Sequence, residues 1–207
     1  MRIGLVTACY HPVINGVTRM VSLYGRNLRA LGHEVTIFTL GRAGANEDEP
    51  QVIRSPAMPF VEGYHLSWRY SRQAQTCLQQ MDIVHCHHPV MGLDLAARYS
   101  RCPIVYTNHT RYDLYGDAHL PFPPWLVRRL IGQLWPRLAA LADVVVTPSA
   151  NMREMLRAFG VRNRIEVIAQ ALAVAAELGK AKYITLGTDT LRLENLLTSI
   201  KGATIMA

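Results

Sequence analysis

The chain has 207 residues, half of them hydrophobic, which is enough to bury a substantial core in one large domain or in one domain with an appendage. A net charge of +7 favours an anionic partner, such as a nucleotide, a nucleic acid or an acidic lipid surface. With no apolar run near the roughly twenty residues of a membrane span, no secretory leader and no paired cysteines, we expect a cytoplasmic protein. Any membrane contact would then be peripheral, at the inner face.

The first forty residues predict a β-α-β unit. Apolar and β-branched runs at 2–7 and 35–40 are typical of strands, and between them apolar side chains recur every three or four residues up to Gly32. A right-handed crossover places the two strands side by side and parallel. The loop at 8–16 then leaves the carboxyl end of the first strand and delivers Asn15 and Gly16 to a helix N-terminus, where backbone N–H groups favour an anion. The alternative is that Gly16 only forms a turn, since the loop lacks G-x-G-x-x-G.

Strands and helices alternate along the rest of the chain. Further strands are predicted at 51–54, 81–86, 103–107, 143–147 and 165–168. Helices are predicted at 64–80, 91–99 and 124–142, and from an N-cap at Ser149 to near Gly160. This alternation indicates an α/β fold, a Rossmann-like, doubly wound and mostly parallel sheet.

A run of three histidines and a cysteine, His85-Cys86-His87-His88, has the composition of a zinc site. Strand alternation would send His85 and His87 to one face and Cys86 and His88 to the other. Four ligands cannot converge in that way without a sharp bend. We therefore favour polar lining of a pocket at the end of the strand over a metal centre.

A second histidine loop follows the strand at 103–107, where His109 should lie near Gly16 and His87 at the same sheet edge. Its imidazole could donate a hydrogen bond to a sugar or phosphate, or act as an acid or base. The alternative is an ordinary loop histidine held by hydrogen bonds.

The segment at 122–138 combines aromatic and basic side chains on one predicted helix. Trp125, Arg128, Arg129 and Trp135 give it the composition of an interfacial helix on anionic headgroups. A helix packed on its own sheet would look similar, and Pro136 predicts a kink or break. The chain carries no nucleic-acid fold signature, so we do not expect a nucleic-acid partner.

Five segments in order resemble the N-terminal domain of glycosyltransferase family 4, retaining enzymes in which two Rossmann-like domains face each other (the GT-B architecture). The matching segments are 2–7 with 11–18, then 28–39, 82–89, 103–110 and 142–149. The loop around His109 is most similar to members that glycosylate diacylglycerol or phosphatidylinositol.

The resemblance implies a role for each matching loop. Gly16 would offer its N–H to the diphosphate of a nucleotide-sugar donor, and His109 would be the catalytic residue beside the donor sugar. The acceptor side, for a lipid or another acceptor, would be lined by Asn15, His87, Arg111 and Tyr112. The family generally needs no metal or other cofactor, so catalysis would consist of stabilising the leaving group and orienting two substrates.

The chain departs from the family after residue 168. We expect a glycosyltransferase N-terminal domain at 1–168 and, in place of the donor-binding domain, an unassigned tail at 169–207. The tail is interpreted as a helix, then a strand at 182–186, then a helix at 188–200. The family's donor domain carries two glutamates eight positions apart, a spacing that no two glutamates here have. A truncated gene, an engineered chain and a half-enzyme with a partner chain would each explain this.

In each case the isolated chain should transfer sugar poorly, because groups of the facing domain that stabilise the transition state are missing. Two other functions stay open. One is a non-catalytic module that binds a membrane or a partner and retains only the fold. The other is an unrelated nucleotide-binding enzyme.

Overall fold

A computed structural model describes residues 1–42, 51–60, 64–110, 123–168, 183–186 and 189–192. The chain divides into two compact units, Met1–Ile168 and Ala169–Ala207.

The first unit alternates strands with helices. Its strands are β1 (Arg2–Val6), β2 (Glu34–Leu40), β3 (Val52–Ser55), β4 (Met58–Pro59), β5 (His65–Leu66), β6 (Ile83–Cys86), β7 (Ile104–Thr107), β8 (Val144–Thr147) and β9 (Arg164–Val167). Its helices are α1 (Gly16–Ala30), α2 (Arg72–Leu78), α3 (Asp94–Tyr99), α4 (Pro124–Ala139) and α5 (Ala150–Ala158), and a kinked π-helical turn, Pro89–Leu93, precedes α3.

Seven of these strands form one sheet, in the order β3-β2-β1-β6-β7-β8-β9, and every neighbouring pair is parallel. Apart from the small antiparallel hairpin β4-β5, this is the Rossmann order with one more strand. The strand order reverses between β1 and β6, and open α/β sheets bind ligands outside the carboxyl ends of the strands at that point. The predicted fold class is confirmed.

The core lies on both faces of the sheet. Successive β1 side chains point to opposite faces, so Leu5 joins Val21 of α1 in one buried cluster while Val6 joins a larger cluster on the other side. Gly4 has to be small, because a Cβ there would lie 3.1 Å from Phe38 and 3.2 Å from Met81. This close packing fixes β1 in the middle of the sheet, and with it the loops that leave its carboxyl end.

Three predicted helices differ from the structure. Of the helix predicted at 64–80 only Arg72–Leu78 is helical, because β5 comes first and Ser71 caps α2 by accepting a hydrogen bond from the Ala74 N–H. The helix predicted at 91–99 begins at Asp94, after a turn in which Met91 has a positive φ of 62°. The helix predicted at 124–142 ends at Ala139, and it continues through Pro136, which lies in its last turn. The predicted N-cap at Ser149 is confirmed.

In the second unit the structure describes an antiparallel pair of strands, β10 (Tyr183–Leu186) and β11 (Asp189–Arg192). The strand predicted at 182–186 is therefore present. The helix predicted from 188 onward is wrong over Asp189–Arg192, where a return strand forms instead. The first predicted helix of the tail lies outside the described residues.

Candidate functional site

Three loops meet the carboxyl ends of the central strands, and we call this group the carboxyl rim: residues 7–16 after β1, His87 and His88 after β6, and residues 108–110 after β7. Backbone hydrogen bonds continue the ladder into these loops. The His87 N–H donates to the carbonyl of Val6 at 2.9 Å, and the Asn108 N–H donates to that of Val146 at 2.8 Å. Each loop therefore begins from a fixed point on the sheet.

Asn15 begins helix α1 through a capping box. Its Oδ1 accepts from the Thr18 N–H at 2.9 Å, while Thr18 Oγ1 accepts from the Asn15 N–H at the same distance. The Asn15 amide also donates to Sγ of Cys9 at 3.6 Å, which ties the helix start back to the loop. Asn15 is thus the N-cap of the helix that the sequence placed here, and its contact with an acceptor stays a prediction.

Gly16 opens α1 at its N-terminus, and it is exposed. A Cβ built there would meet nothing within 4 Å, so the space beside the first helical N–H groups is open. This arrangement leaves room for an anion to approach the positive end of α1, as expected from the sequence of this loop.

His88 connects two loops of the carboxyl rim. The Ala8 N–H donates to its Nδ1 at 3.2 Å, so this nitrogen must be the bare one, and Nε2 carries the proton. Nε2 lies 3.4 Å from the hydroxyl oxygen of Tyr64. The ring is only 5% exposed, and it holds the loop after β1 against the segment that follows the β4-β5 turn.

His87 and His109 form a direct pair. Nδ1 of His87 lies 2.9 Å from Nε2 of His109, and the two ring planes are 23° apart. Asn108 shapes the turn that carries His109, because its amide donates to the carbonyl of Thr110 at 3.2 Å and its Oδ1 accepts from the Tyr106 hydroxyl at 2.8 Å. The structure therefore brings together two histidines that the sequence placed in separate loops.

The His87 ring itself is covered. It is 1% exposed, with the His85 ring 4.2 Å away and the Tyr24 ring of α1 5.7 Å away. Direct contact between this ring and an acceptor, as predicted from the resemblance, does not fit that burial. We correct the prediction accordingly: His87 reaches the carboxyl rim through His109.

Burial keeps the neighbouring histidines neutral. It lowers the pKa of His88 to about 3, with the nearby His109 ring as a second cause. It also lowers the pKa of His87 well below its ordinary value, and the surrounding histidines add to the effect. His85, whose Nε2 lies 2.6 Å from Oγ1 of Thr107, likewise has its pKa lowered to about 3, first by burial and then by His109.

The histidine run does not form a metal centre in the described part of the chain, where no group of three or more His, Cys, Asp or Glu side chains is placed to hold an ion. The alternation along β6 explains this. His85 and His87 lie side by side, while His88 bonds to the loop after β1.

Arg54 is a functional candidate that the sequence did not reveal. Although it lies on β3, its guanidinium donates to the carbonyl of His11 in the loop after β1, and at 3.4 Å to the carbonyl of Leu40. It brings a cation to the carboxyl rim across about forty residues of sequence. No local pattern could have indicated this, since the contact depends on β3 lying at the edge of the sheet.

The two tryptophans of helix α4 differ in their exposure to solvent. Trp125 is 65% exposed, whereas Trp135 is 2% exposed and packs against Phe159, with ring centroids 5.4 Å apart. The prediction that Trp135 meets a membrane is therefore wrong. Leu130 and Leu134, four residues apart, are exposed, as is Arg129.

Three predicted site residues cannot be compared with the structure. Arg111 and Tyr112 lie outside the described residues, and the side chain of Arg128 does too. Within the described ranges, none of the helices has both the length and the apolar character to cross a bilayer.

Comparisons with known proteins agree with this geometry. The sequence profile of Glycosyltransferase Family 4 matches residues 14–172. The alpha-monoglucosyldiacylglycerol synthase of Streptococcus pneumoniae (strain ATCC BAA-255 / R6) is 30% identical over 185 residues, which cover 84% of this chain and 41% of the relative. The synthase of the same name from Acholeplasma laidlawii is 31% identical over 171 residues, which cover 75% of this chain and 42% of the relative.

Solved structures support the fold. A sucrose-phosphate synthase from Thermosynechococcus elongatus superposes with a TM-score of 0.55 at 14% identity, covering 88% of this chain and 53% of that one. An alpha-glucosyltransferase in complex with UDP and a 13-mer DNA gives 0.52 at 13% identity, with coverage of 81% and 42%. This chain spans about two fifths of the length of the synthases it matches. It belongs to glycosyltransferase family 4, as a domain of the N-terminal type related to lipid glycosyltransferases.

Proposed function

We propose that this chain is the acceptor-side domain of a retaining glycosyltransferase, in which the carboxyl rim receives a nucleotide-sugar donor opposite a lipid acceptor. The observation that carries the proposal is the place of the His87–His109 pair at the rim, beside the loop that ends at the open N-terminus of α1. The names of the matched relatives favour a glucosyl group and diacylglycerol as donor sugar and acceptor.

Each element of the carboxyl rim has its own role in this reaction. In this proposal the first N–H groups of α1, next to the open space at Gly16, face the donor diphosphate and stabilise charge on the leaving group, supported by the positive end of the helix dipole. His109 contacts the donor sugar and orients it. Because both effects are positional, the chain contributes preorganisation rather than a covalent step.

The direct test is the binding of UDP-glucose to the chain, measured by calorimetry. UDP-glucose is a reasonable probe, since a structural neighbour was solved with UDP and the matched relatives carry a glucosyl name. Because the carboxyl rim supplies only part of the donor site, we expect weak but saturable binding, which falls about tenfold further in His109→Ala, a loss near 1.4 kcal/mol. Equal binding by the wild type and His109→Ala would contradict the proposal.

Turnover provides a second test. With UDP-glucose and vesicles that contain diacylglycerol, the chain alone should form glucolipid at a rate near background, because a facing domain supplies part of the transition-state contacts. Rapid glucolipid formation by the chain alone would contradict the assignment as an acceptor-side domain.

The exposed apolar side chains of α4 favour a second candidate function, peripheral attachment to an anionic membrane. Trp125, Leu130 and Leu134 are large apolar side chains in water, and Arg129 lies four residues after Trp125. Interfacial helices bury such apolar groups below the headgroups while their basic residues pair with anionic lipids. Sedimentation with phosphatidylglycerol vesicles tests this function separately from sugar binding.

A further inference from the structure

The His87–His109 hydrogen bond can form in two ways, and they leave His109 with different chemistry. Two neutral imidazoles that share one hydrogen bond have one donor and one acceptor nitrogen between them. Either His109 donates through Nε2, or His87 donates through Nδ1. In the first case the other nitrogen of His109, Nδ1, is a bare lone pair, and in the second case it carries the proton.

The burial of His87 decides between the two. Its other nitrogen, Nε2, is buried without a hydrogen-bond partner in the described part of the chain. If His109 donated, His87 would have to carry its proton on Nε2, as a buried N–H with no acceptor. If His87 donates, only a lone pair is left without a partner. Buried N–H groups without a partner are the rarer of the two in proteins, so donation by His87 is favoured.

We propose that His87 is a positioning residue: its Nδ1–H donates to Nε2 of His109 and holds His109 in the tautomer that carries its proton on Nδ1. The neighbouring rings fit this arrangement. His85 and Tyr24 lie against His87 and restrict its ring, so the donor stays aimed at His109. Since its burial also keeps the His87 ring neutral, the bond does not change character near neutral pH.

The adjacent histidine provides an internal contrast. His88 must carry its proton on Nε2, because the backbone N–H of Ala8 donates to its Nδ1. Two consecutive residues of one strand end therefore hold opposite tautomers. Each tautomer is set by the hydrogen-bond partner that lies on the same face of the sheet as the ring.

This assignment deepens the proposed function and rests on it for its chemical consequence. With Nε2 of His109 occupied by His87 and its Nδ1 protonated, the ring has no lone pair left with which to accept a proton from the acceptor hydroxyl. His109 then works as a hydrogen-bond donor to a sugar hydroxyl or phosphate oxygen and not as a general base. The proton of the acceptor hydroxyl must therefore be taken up by a group other than His109.

The experiment is a two-bond proton–nitrogen correlation spectrum of the full chain with ¹⁵N-labelled histidine at pH 7.5, which distinguishes protonated from bare ring nitrogens. Signals are assigned by their loss in His109→Asn and His88→Asn. We expect His109 and His87 with the proton on Nδ1, and His88 with the proton on Nε2. A proton on Nε2 of His109 would overturn the proposal.

His87→Phe then tests the cause, because phenylalanine keeps a ring and removes both nitrogens. The ring nitrogens of His109 should then shift, because the bond that holds its proton on Nδ1 is lost. His85→Phe is the matched control and should leave His109 unchanged. An unchanged His109 in His87→Phe would contradict the role of His87, and if that variant does not fold, the wild-type spectrum still decides.

Neither measurement uses a substrate. Failure to bind UDP-glucose would contradict the proposed function while the tautomer assignment stands. A wrong tautomer would overturn this inference without affecting the binding result.

Discussion

At the carboxyl rim, polar rings are buried, whereas on helix α4 apolar side chains are exposed. His87 and His88 lie almost completely inside the protein, while Trp125, Leu130 and Leu134 lie in water. Both arrangements cost free energy in an isolated fold, since buried polar groups need partners and exposed apolar groups gain nothing from the core. The difference indicates two separate roles, with fixed geometry at the rim and a surface for a partner on α4.

The largest expected effect separates the two tryptophans of α4. Trp135→Ala should lower the free energy of unfolding by about 3–5 kcal/mol, because a buried ring that packs on Phe159 is lost. Trp125→Ala should change it by less than about 0.5 kcal/mol, because that ring is exposed. Urea unfolding of both variants measures the contrast. Similar losses in the two would show that the two sides of α4 are not different.

Acid should destabilise the protein through the carboxyl rim. His85, His87 and His88 all have pKa values lowered first by burial, so below about pH 6.5 the unfolded chain binds protons that the folded chain does not. The contribution of these neutral histidines to the free energy of unfolding is therefore fully present above that pH. It is lost as the pH is lowered toward the pKa of the folded state. The limiting slope for these three groups together is about 4 kcal/mol per pH unit.

Urea midpoints measured between pH 7.5 and pH 5 test this slope, and His88→Asn should reduce it by about a third. Burial raises the pKa of Asp94, so this carboxyl acts in the opposite sense to the histidines as the pH falls. Asp82 has a lowered pKa through its bonds from Arg2, so its contribution is lost only below about pH 4. Constant stability from pH 7.5 to pH 5 would contradict the neutral, buried state of the histidines.

A bulky side chain at Gly16 should weaken donor binding at the carboxyl rim without lowering the stability of the fold. Gly16→Val places its side chain in the open space at the start of α1, so the affinity for UDP-glucose should fall about tenfold. Gly132→Ala is the control: its Cβ would make an ordinary contact of 3.7 Å with Phe159 and should leave affinity unchanged. Calorimetry compares the two variants. Full affinity in Gly16→Val would exclude a close approach of the donor to this helix end.

The smallest effect concerns the membrane surface. Replacing Trp125 by Ala and Arg129 by Gln should weaken binding to phosphatidylglycerol vesicles about fivefold or more, because a basic residue near an anionic surface contributes about 1 kcal/mol. Arg153→Gln, an exposed charge on α5, is the control for net charge. Equal loss in both would mean that binding depends only on overall charge and not on α4.

Local patterns in the sequence predicted what depends on local structure. The strand at β1, the apolar face of α1 and the N-cap at Ser149 all follow from spacing within a few residues, and each was predicted close to its observed place. These correctly predicted elements define the order of the sheet, and thereby the edge at which the loops meet. The pairing of His87 with His109 at that edge follows from two adjacent parallel strands.

The errors have physical causes. Trp125 and Trp135 are ten residues apart, which at 100° per residue places them only about 80° apart around a helix, so spacing and composition did not show that one ring is buried while the other is exposed. The burial of His87 depends on α1 and β7 together, and the reach of Arg54 to the loop after β1 depends on sheet order. Tertiary contacts of this kind leave no periodic signal in the sequence.

The central claim is that the carboxyl rim receives a nucleotide sugar, and a titration of the ¹⁵N-labelled chain with UDP-glucose, followed by NMR, tests it most directly. The account predicts that the Gly16 amide and the His109 ring show the largest and saturable shifts, while signals of the α4 face stay unchanged. Shifts confined to other parts of the chain, or no saturable shift at all, would contradict it.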